Sequence, residues 1–243
     1  MKQSKRVALV TGANKGLGFE TAKQLLEQNI EVLLGVRNEA AGRDAQDNLR
    51  TLGLNSQIAV IDVSDENSII ETAERIDKDY GKLDILVNNA GVMLDLGQAI
   101  DEVSTETMRN TFEVNVIGAS NVIKHMLPLL KKSKVGRIVN VSSGLGSLYQ
   151  NADPNYMYYP YKLLAYNSSK SALNSITLSY AFALKDSTIK INSADPGFCK
   201  TDLNGNIGPR SPKDGAGIAV KLATIDKDGP HGGFFDDNGI VPW

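Results

Sequence analysis

The chain has 243 residues, of which 42% are apolar and 22% charged, with 26 basic side chains against 28 acidic ones and a single cysteine. That apolar fraction excludes a disordered chain, no run of 18 apolar residues offers a transmembrane helix, and the lone Cys199 excludes a framework of internal disulfides. A net charge of −2 gives no basic footprint for nucleic acid or an anionic membrane.

The charged start, residues 1–6, imitates the beginning of a signal peptide. The apolar run that follows, residues 7–10, is too short for its hydrophobic core, so the sequence reads as a cytoplasmic protein. Residues 7–10 form a strand-like run and residues 12–18 a glycine-rich turn. Residues 17–28 read as a helix with Phe19, Ala22, Leu25 and Leu26 on one face. Residues 31–36 form the second strand, and residues 39–52 a helix closed by Gly53. Residues 56–62 are the third strand. Ser64 can cap a helix that runs to Tyr80 and stops at Gly81. Residues 83–87 are the fourth strand. A long helical stretch spans residues 104–132, with a kink expected at Pro128. Residues 135–141 are the fifth strand, 166–185 a helix and 188–193 the sixth strand.

Apolar strands separated by single helices predict a doubly wound α/β fold of Rossmann type, a parallel sheet of about seven strands with helices on both faces. No composition break or low-complexity linker divides residues 1–243, so one domain is expected. Residues 145–164 stand out, with five tyrosines at 149, 156, 158, 159 and 161. They read as a surface loop.

Thr11-Gly12-Ala13-Asn14-Lys15-Gly16-Leu17-Gly18 joins the first strand to the first helix. Glycines let a backbone turn sharply and approach a pyrophosphate, and the helix start offers free N–H groups to an anion. The second strand ends in Arg37 and Asn38, and no acid stands where a free 2′-hydroxyl needs an acceptor. Lys15 and Arg37 supply the cations that a 2′-phosphate requires, so NADPH/NADP+ is expected over NADH. Arg43 either assists or is a helix-surface charge.

Tyr166 and Lys170 are four apart on a predicted helix and therefore share a face. An ammonium near a phenol favours the phenolate, which makes the tyrosine a usable acid for a carbonyl oxygen. Tyr158 and Lys162 have the same spacing, but Pro160 between them argues against a helix. Ser142 and Ser143 follow the fifth strand, where a hydroxyl faces the crevice of a parallel sheet. Adjacent strand residues point to opposite faces, so one of the two reaches a ligand. His125 reads as a helix residue and His231 as a turn residue. No His, Cys and carboxylate cluster has metal-ligand spacing, and no metal is expected.

Jointly, residues 11–18, Asn88-Asn89-Ala90-Gly91, Asn115, Ser142-Ser143, Tyr166 to Lys170 and Asp195-Pro196-Gly197 resemble the short-chain dehydrogenase/reductase family over nearly the whole chain. Asn14-Lys15, Val36-Arg37 and the closing Gly229-Pro230-His231-Gly232-Gly233-Phe234-Phe235 are similar to its carbonyl-reductase-like branch. The resemblance implies an NADP-dependent oxidoreductase that reduces a ketone or aldehyde, reversibly, by hydride transfer. It implies Tyr166 as acid/base, Ser143 as the group orienting the carbonyl, and Lys170 as holding the nicotinamide ribose and lowering the tyrosine pKa. Asn115 would support a helix kink and a proton-relay water. Gly12, Asn14, Gly16, Leu17 and Gly18 would form the phosphate turn. Asp62 and Val63 would meet the adenine, Asn89, Ala90 and Gly91 the adenosine ribose, and Pro196, Gly197 and Thr201 the nicotinamide. The interval from Ser143 to Tyr166 is longer than in plain family members, so monomer and homo-oligomer are both compatible. The substrate is expected to be a small, uncharged and fairly apolar carbonyl compound. Two alternatives are a dinucleotide-binding sensor without turnover and a dedicated biosynthetic reductase. A sensor has no need of Asn115, Ser143, Tyr166 and Lys170 together.

Overall fold

The computed structural model describes residues 5–243; residues 1–4, at the charged start, lie outside the described residues. The chain runs β1 (Val7–Thr11), α1 (Gly16–Glu27), β2 (Glu31–Val36), α2 (Glu39–Thr51), β3 (Gln57–Val60), α3 (Glu66–Tyr80) and β4 (Ile85–Asn88). It continues with α4 (Thr105–Phe112), α5 (Ala119–Lys131), β5 (Arg137–Val141), α6 (Leu148–Ala152), α7 (Leu164–Ala183), β6 (Lys190–Ala194), α8 (Pro212–Ala223), β7 (Phe234–Asp236) and β8 (Gly239–Ile240).

The eight strands form one sheet in the order β3-β2-β1-β4-β5-β6-β7-β8. Seven are parallel, as the alternation of strands and helices predicts, and β8 pairs antiparallel with β7. Strand residues alternate between two cores. Ala8, Val10, Val32, Leu34, Ile85, Val87 and Val139 pack with Leu25 of α1, Leu49 of α2 and Ile218 of α8. Leu9, Leu33, Leu86, Ile138 and Ile191 pack on the other face with Ile69 of α3, Ile123 of α5 and Ala181 of α7. Both faces are covered, so β1 reads as an unbroken apolar run rather than an alternating one. Each fully buried leucine such as Leu9 or Leu34 contributes about 2 kcal/mol by transfer from water.

The order reverses direction between β1 and β4. Chains leave these two strands on opposite sides, which opens a crevice at their carboxyl ends. Gly53 and Gly81 follow α2 and α3 as expected, both with positive φ. Asp65, not Ser64, caps α3, because its carboxylate accepts the Asn67 N–H at 3.0 Å while the Ser64 hydroxyl is held by Asp62. Pro128 lies inside α5, which continues to Lys131. The break in α geometry comes earlier, at Glu113–Gly118, which winds as a π-helix. A Cβ at Gly118 would sit 2.5 Å from the Val63 carbonyl oxygen, so this stretch presses directly on the loop after β3.

One element departs from an expected loop, and another lies where no element was expected. α6 forms inside the tyrosine-rich stretch, capped by the Ser147 hydroxyl accepting the Gln150 N–H. α8 starts at Ser211-Pro212, with the Ser211 hydroxyl accepting the Asp214 N–H, and packs on α1. His231 ties two elements together, accepting the Ile191 N–H on Nδ1 and facing the Ala181 carbonyl with Nε2. His125 meets Glu66 on the helix surface. Among the described residues, no helix is long and apolar enough to cross a membrane.

Candidate active site

β1 ends at Thr11, and its hydroxyl oxygen accepts the N–H groups of Asn89 and Ala90, both at 3.0 Å. That pins the loop after β4 against the glycine turn. Gly12 and Gly16 hold φ of 66° and 59°, the left-handed region that side chains disfavour. A Cβ at Gly18 would stand 2.3 Å from the Gly12 carbonyl oxygen and 2.4 Å from Asn89 Nδ2. Helix α1 therefore begins flush against the strand end. No side chain caps its first turn, in contrast to α2, α3 and α4, so its N–H groups remain available to an anion.

A cavity of about 860 Å³ runs from this turn along the strand ends. Every expected site residue except Asn115 lines it. The cofactor-end residues divide by what holds them. Arg37 is exposed and makes no ion pair among the described residues. Lys15 instead bonds Asp202 at 2.7 Å, with both side chains mostly in solvent. Arg43 pairs with Glu39 at 2.8 Å, the helix-surface role of the two considered. Asp62 Oδ1 accepts both the N–H and the hydroxyl of Ser64. Asn89 bonds the carbonyls of Thr11 and Gly12, so it shapes the phosphate turn as well as lining the cavity. The methyl group of Thr201 comes within 3.5 Å of the Cβ position of Gly16, and Gly197 holds a positive φ after Pro196.

Helix α7 brings Tyr166 and Lys170 together, with Lys170 Nζ 5.6 Å from the centre of the Tyr166 ring. The other Tyr-Lys pair diverges: Lys162 lies over the Tyr159 ring and bonds the Asn151 carbonyl. Lys170 donates to the Val141 carbonyl at 2.8 Å. Asn115, on the π-helical stretch, is buried beside them. It accepts the Val92 N–H and donates to the Val92 carbonyl, both at 2.8 Å, and also donates to the Ser169 hydroxyl at 3.0 Å. The amide thus locks the loop after β4 onto α7. Both paired serines line the cavity, and the Ser143 hydroxyl accepts the Leu145 N–H at 3.2 Å and favours ionisation of the Tyr166 phenol. Ser142 is buried, and its hydroxyl has no partner among the described residues.

Burial sets the protonation states. It pushes the Tyr166 phenol well above its ordinary value, the charge of Asp195 adds to this, and the Ser143 hydroxyl works in the opposite direction. Burial also lowers Lys170 to about 8. The Cys199 thiol is pushed up to about 11, mainly by burial, which leaves it protonated and unreactive at neutral pH.

Asp95 carries no signal in the sequence. Its fully buried Oδ2 accepts the N–H of Ala165 at 2.7 Å and of Tyr166 at 3.4 Å, so it caps α7 from the loop after β4. Asp195, by contrast, lines the cavity, and the sequence marked it only as part of the Asp195-Pro196-Gly197 motif. Of the tyrosine-rich stretch, Tyr156, Tyr158 and Tyr161 line the cavity, whereas Tyr149 lies outside its lining and is exposed.

The family model described as short chain dehydrogenase matches residues 6–212. A short-chain dehydrogenase of Penicillium roqueforti (strain FM164), anuI, is 38% identical over 91% of this chain and 89% of its own length. Carbonyl reductase (NADPH) 1 of Sus scrofa is 32% identical, over 100% of this chain and 96% of its own. Among solved structures, the NADPH-bound carbonyl reductase from chicken fatty liver superposes with a TM-score of 0.86 at 25% identity, covering 99% of this chain and 100% of that one.

Proposed function

The chain belongs to the short-chain dehydrogenase family, and from that premise we propose that it reduces the carbonyl group of a ketone or aldehyde with NADPH, using Tyr166 as the proton donor. The observation that carries this reading is the convergence of Tyr166, Lys170 and Ser143 on one end of a cavity whose other end is the uncapped, glycine-lined start of α1. That turn fits a dinucleotide: Gly12 and Gly16 hold positive φ and no side chain caps the first turn of α1, so its N–H groups are open to a pyrophosphate. Gly12, Asn14, Gly16, Leu17 and Gly18 would hold the phosphates, and Lys15 and Arg37 the 2′-phosphate. Asp62, Val63, Asn89, Ala90 and Gly91 would flank the adenosine, and Pro196, Gly197 and Thr201 the nicotinamide. The bound NADPH supplies the hydride.

The chain's own part is to place the carbonyl and manage one proton. Ser143 and Tyr166 hydrogen-bond the carbonyl oxygen, where negative charge grows in the transition state. Tyr166 then gives up its phenolic proton to that oxygen. Lys170, protonated, restores it, and Asn115 holds the loop and helix that keep Lys170 in place. In this environment the Tyr166 phenol is protonated at neutral pH, the form a proton donor must start from. A sample treated with EDTA should still consume NADPH in 1:1 proportion with a simple aryl ketone or aldehyde. Loss of activity on metal removal would overturn the mechanism, and failure on every carbonyl compound tried would overturn the reaction.

The pH profile gives a separate check. Because kcat/KM for NADPH reports the free enzyme, it should fall about tenfold per pH unit above about 8, as Lys170 loses its proton. The fold is not the cause of that fall. Lys170 is lowered from 10.5 to about 8, so between pH 8 and 10 the unfolded chain holds a proton that the folded one has released. Stability from this group therefore rises with pH over that window. A profile flat to pH 9.5 would remove Lys170 from the proton path.

A further inference from the structure

Aromatic rings wall part of the cavity, and of its three lining acids Asp202 is paired with Lys15 and Asp62 is engaged by Ser64, which leaves Asp195. Tyr158 is packed edge to face, 5.6 Å from Tyr156, 6.1 Å from Tyr161 and 5.9 Å from Phe198 between ring centres. All four rings line the cavity, and so does Asp195, just past the end of β6. Asp195 Oδ1 accepts the Gly197 N–H at 2.9 Å. No cation pairs with this carboxyl among the described residues, and Arg210, the one cation whose charge favours its ionised form, is engaged by Asp237.

Three oxygen atoms converge over the backbone of Gly144. A Cβ placed there would lie 2.5 Å from the Tyr156 hydroxyl, 2.8 Å from Asp195 Oδ2 and 3.2 Å from Gln150 Oε1. Gln150 Oε1 is buried without a hydrogen-bond partner among the described residues. The donors at hand, the Gly144 and Gly197 N–H groups and the Tyr156 hydroxyl, carry no charge, so the carboxylate is hydrogen-bonded without being neutralised. Burial and the charge of Asp236 both resist ionisation of Asp195, and its charge in turn weighs on Tyr166, Tyr156 and Tyr158. The proton transfer makes no use of this carboxyl. A cation offers what the corner lacks: a charge-assisted donor for Asp195 and a positive group for the ring faces. The remaining cavity cations stand elsewhere, Lys15 and Arg37 at the phosphate end, Lys170 beneath Tyr166, and Lys200 exposed.

Resting on the carbonyl-reductase reading, we propose that Asp195 is the specificity residue of this cavity, and that it receives a protonated amine carried by a ring-bearing ketone substrate, with Tyr156, Tyr158 and Phe198 flanking the ammonium. This departs from the uncharged substrate expected from the sequence.

The test uses three acetophenones that differ only in the para substituent: aminomethyl, hydroxymethyl and ethyl. Calorimetry at neutral pH in the presence of NADP+ should find the aminomethyl compound bound about 10- to 100-fold more tightly than the ethyl compound. The hydroxymethyl compound should fall between them. In Asp195→Asn, which keeps an oxygen for the Gly197 N–H, the ratio should drop to about one. Tyr158→Leu should lower it severalfold, so the outcome does not hang on one variant folding. Turnover of the same compounds reads the reduction separately. Amine preference in binding with no turnover would overturn the reductase reading and leave the role of Asp195 standing. Equal binding of all three, tighter binding of the hydroxymethyl compound, or an amine preference that survives Asp195→Asn would overturn the assignment.

Discussion

Tyr166→Phe should lower kcat for carbonyl reduction by about 100-fold or more, the scale on which a positioned general acid acts, while NADPH affinity changes little. The ring is buried, so removal of one oxygen leaves its packing intact. What is lost is the phenol that stands beside Ser143 and above Lys170. Tyr158 also lines the cavity, but Lys162, four residues on, points to Asn151 and the Tyr159 ring. Stopped-flow reduction and NADPH titration of both Phe variants separate proton transfer from binding. If Tyr158→Phe abolishes turnover and Tyr166→Phe does not, the proton belongs to the other tyrosine.

The parts of this site that the sequence revealed are those whose chemistry requires particular residues at short spacing. The glycine turn needs missing Cβ atoms within eight residues, and the Tyr166–Lys170 pair needs only one helical turn. The choice between Ser142 and Ser143 stayed open at that level because both follow the same strand. In the structure both line the cavity, the Ser142 hydroxyl without a partner among the described residues and the Ser143 hydroxyl as the one that favours ionisation of Tyr166. Asp95 was not legible at all. It lies 70 residues from the N–H it accepts, and no local pattern marks a carboxylate that caps a helix from another loop. The helix kink at Asn115 that the family resemblance implies is present, but its π-helical form has no local signal. Its cause lies in the Val63 carbonyl pressing on Gly118 and the hold of Asn115 on Val92, both contacts between distant segments. α8 could have been found, since Ser211-Pro212 with Asp214 in the first turn is a helix-start signal. The two-residue strand β8 could not, because so short a pairing exists only where β7 offers an edge.

NADPH should bind more tightly than NADH by about 30- to 1,000-fold, or roughly 2–4 kcal/mol, and Arg37 should account for most of the difference. The ion pairs around the ribose end decide this division. Glu39, the first acid after β2, is engaged by Arg43 at 2.8 Å and so does not stand ready as an acceptor for a free 2′-hydroxyl. Asn38 spends its side-chain oxygen on the Ala41 N–H as the cap of α2. Lys15 must leave Asp202 before it can meet a phosphate, and an exposed pair of this kind holds it by about 0–1 kcal/mol. Arg37 has no such competitor. Titration of both cofactors should therefore show the preference largely lost in Arg37→Asp, where a carboxylate repels the 2′-phosphate and accepts a hydroxyl. Asp202→Asn frees Lys15 and should strengthen NADPH binding slightly, leaving NADH unaffected. Equal affinity of the unaltered protein for the two cofactors would sink the preference. An undiminished preference in Arg37→Asp would instead shift the recognition of the phosphate to Lys15.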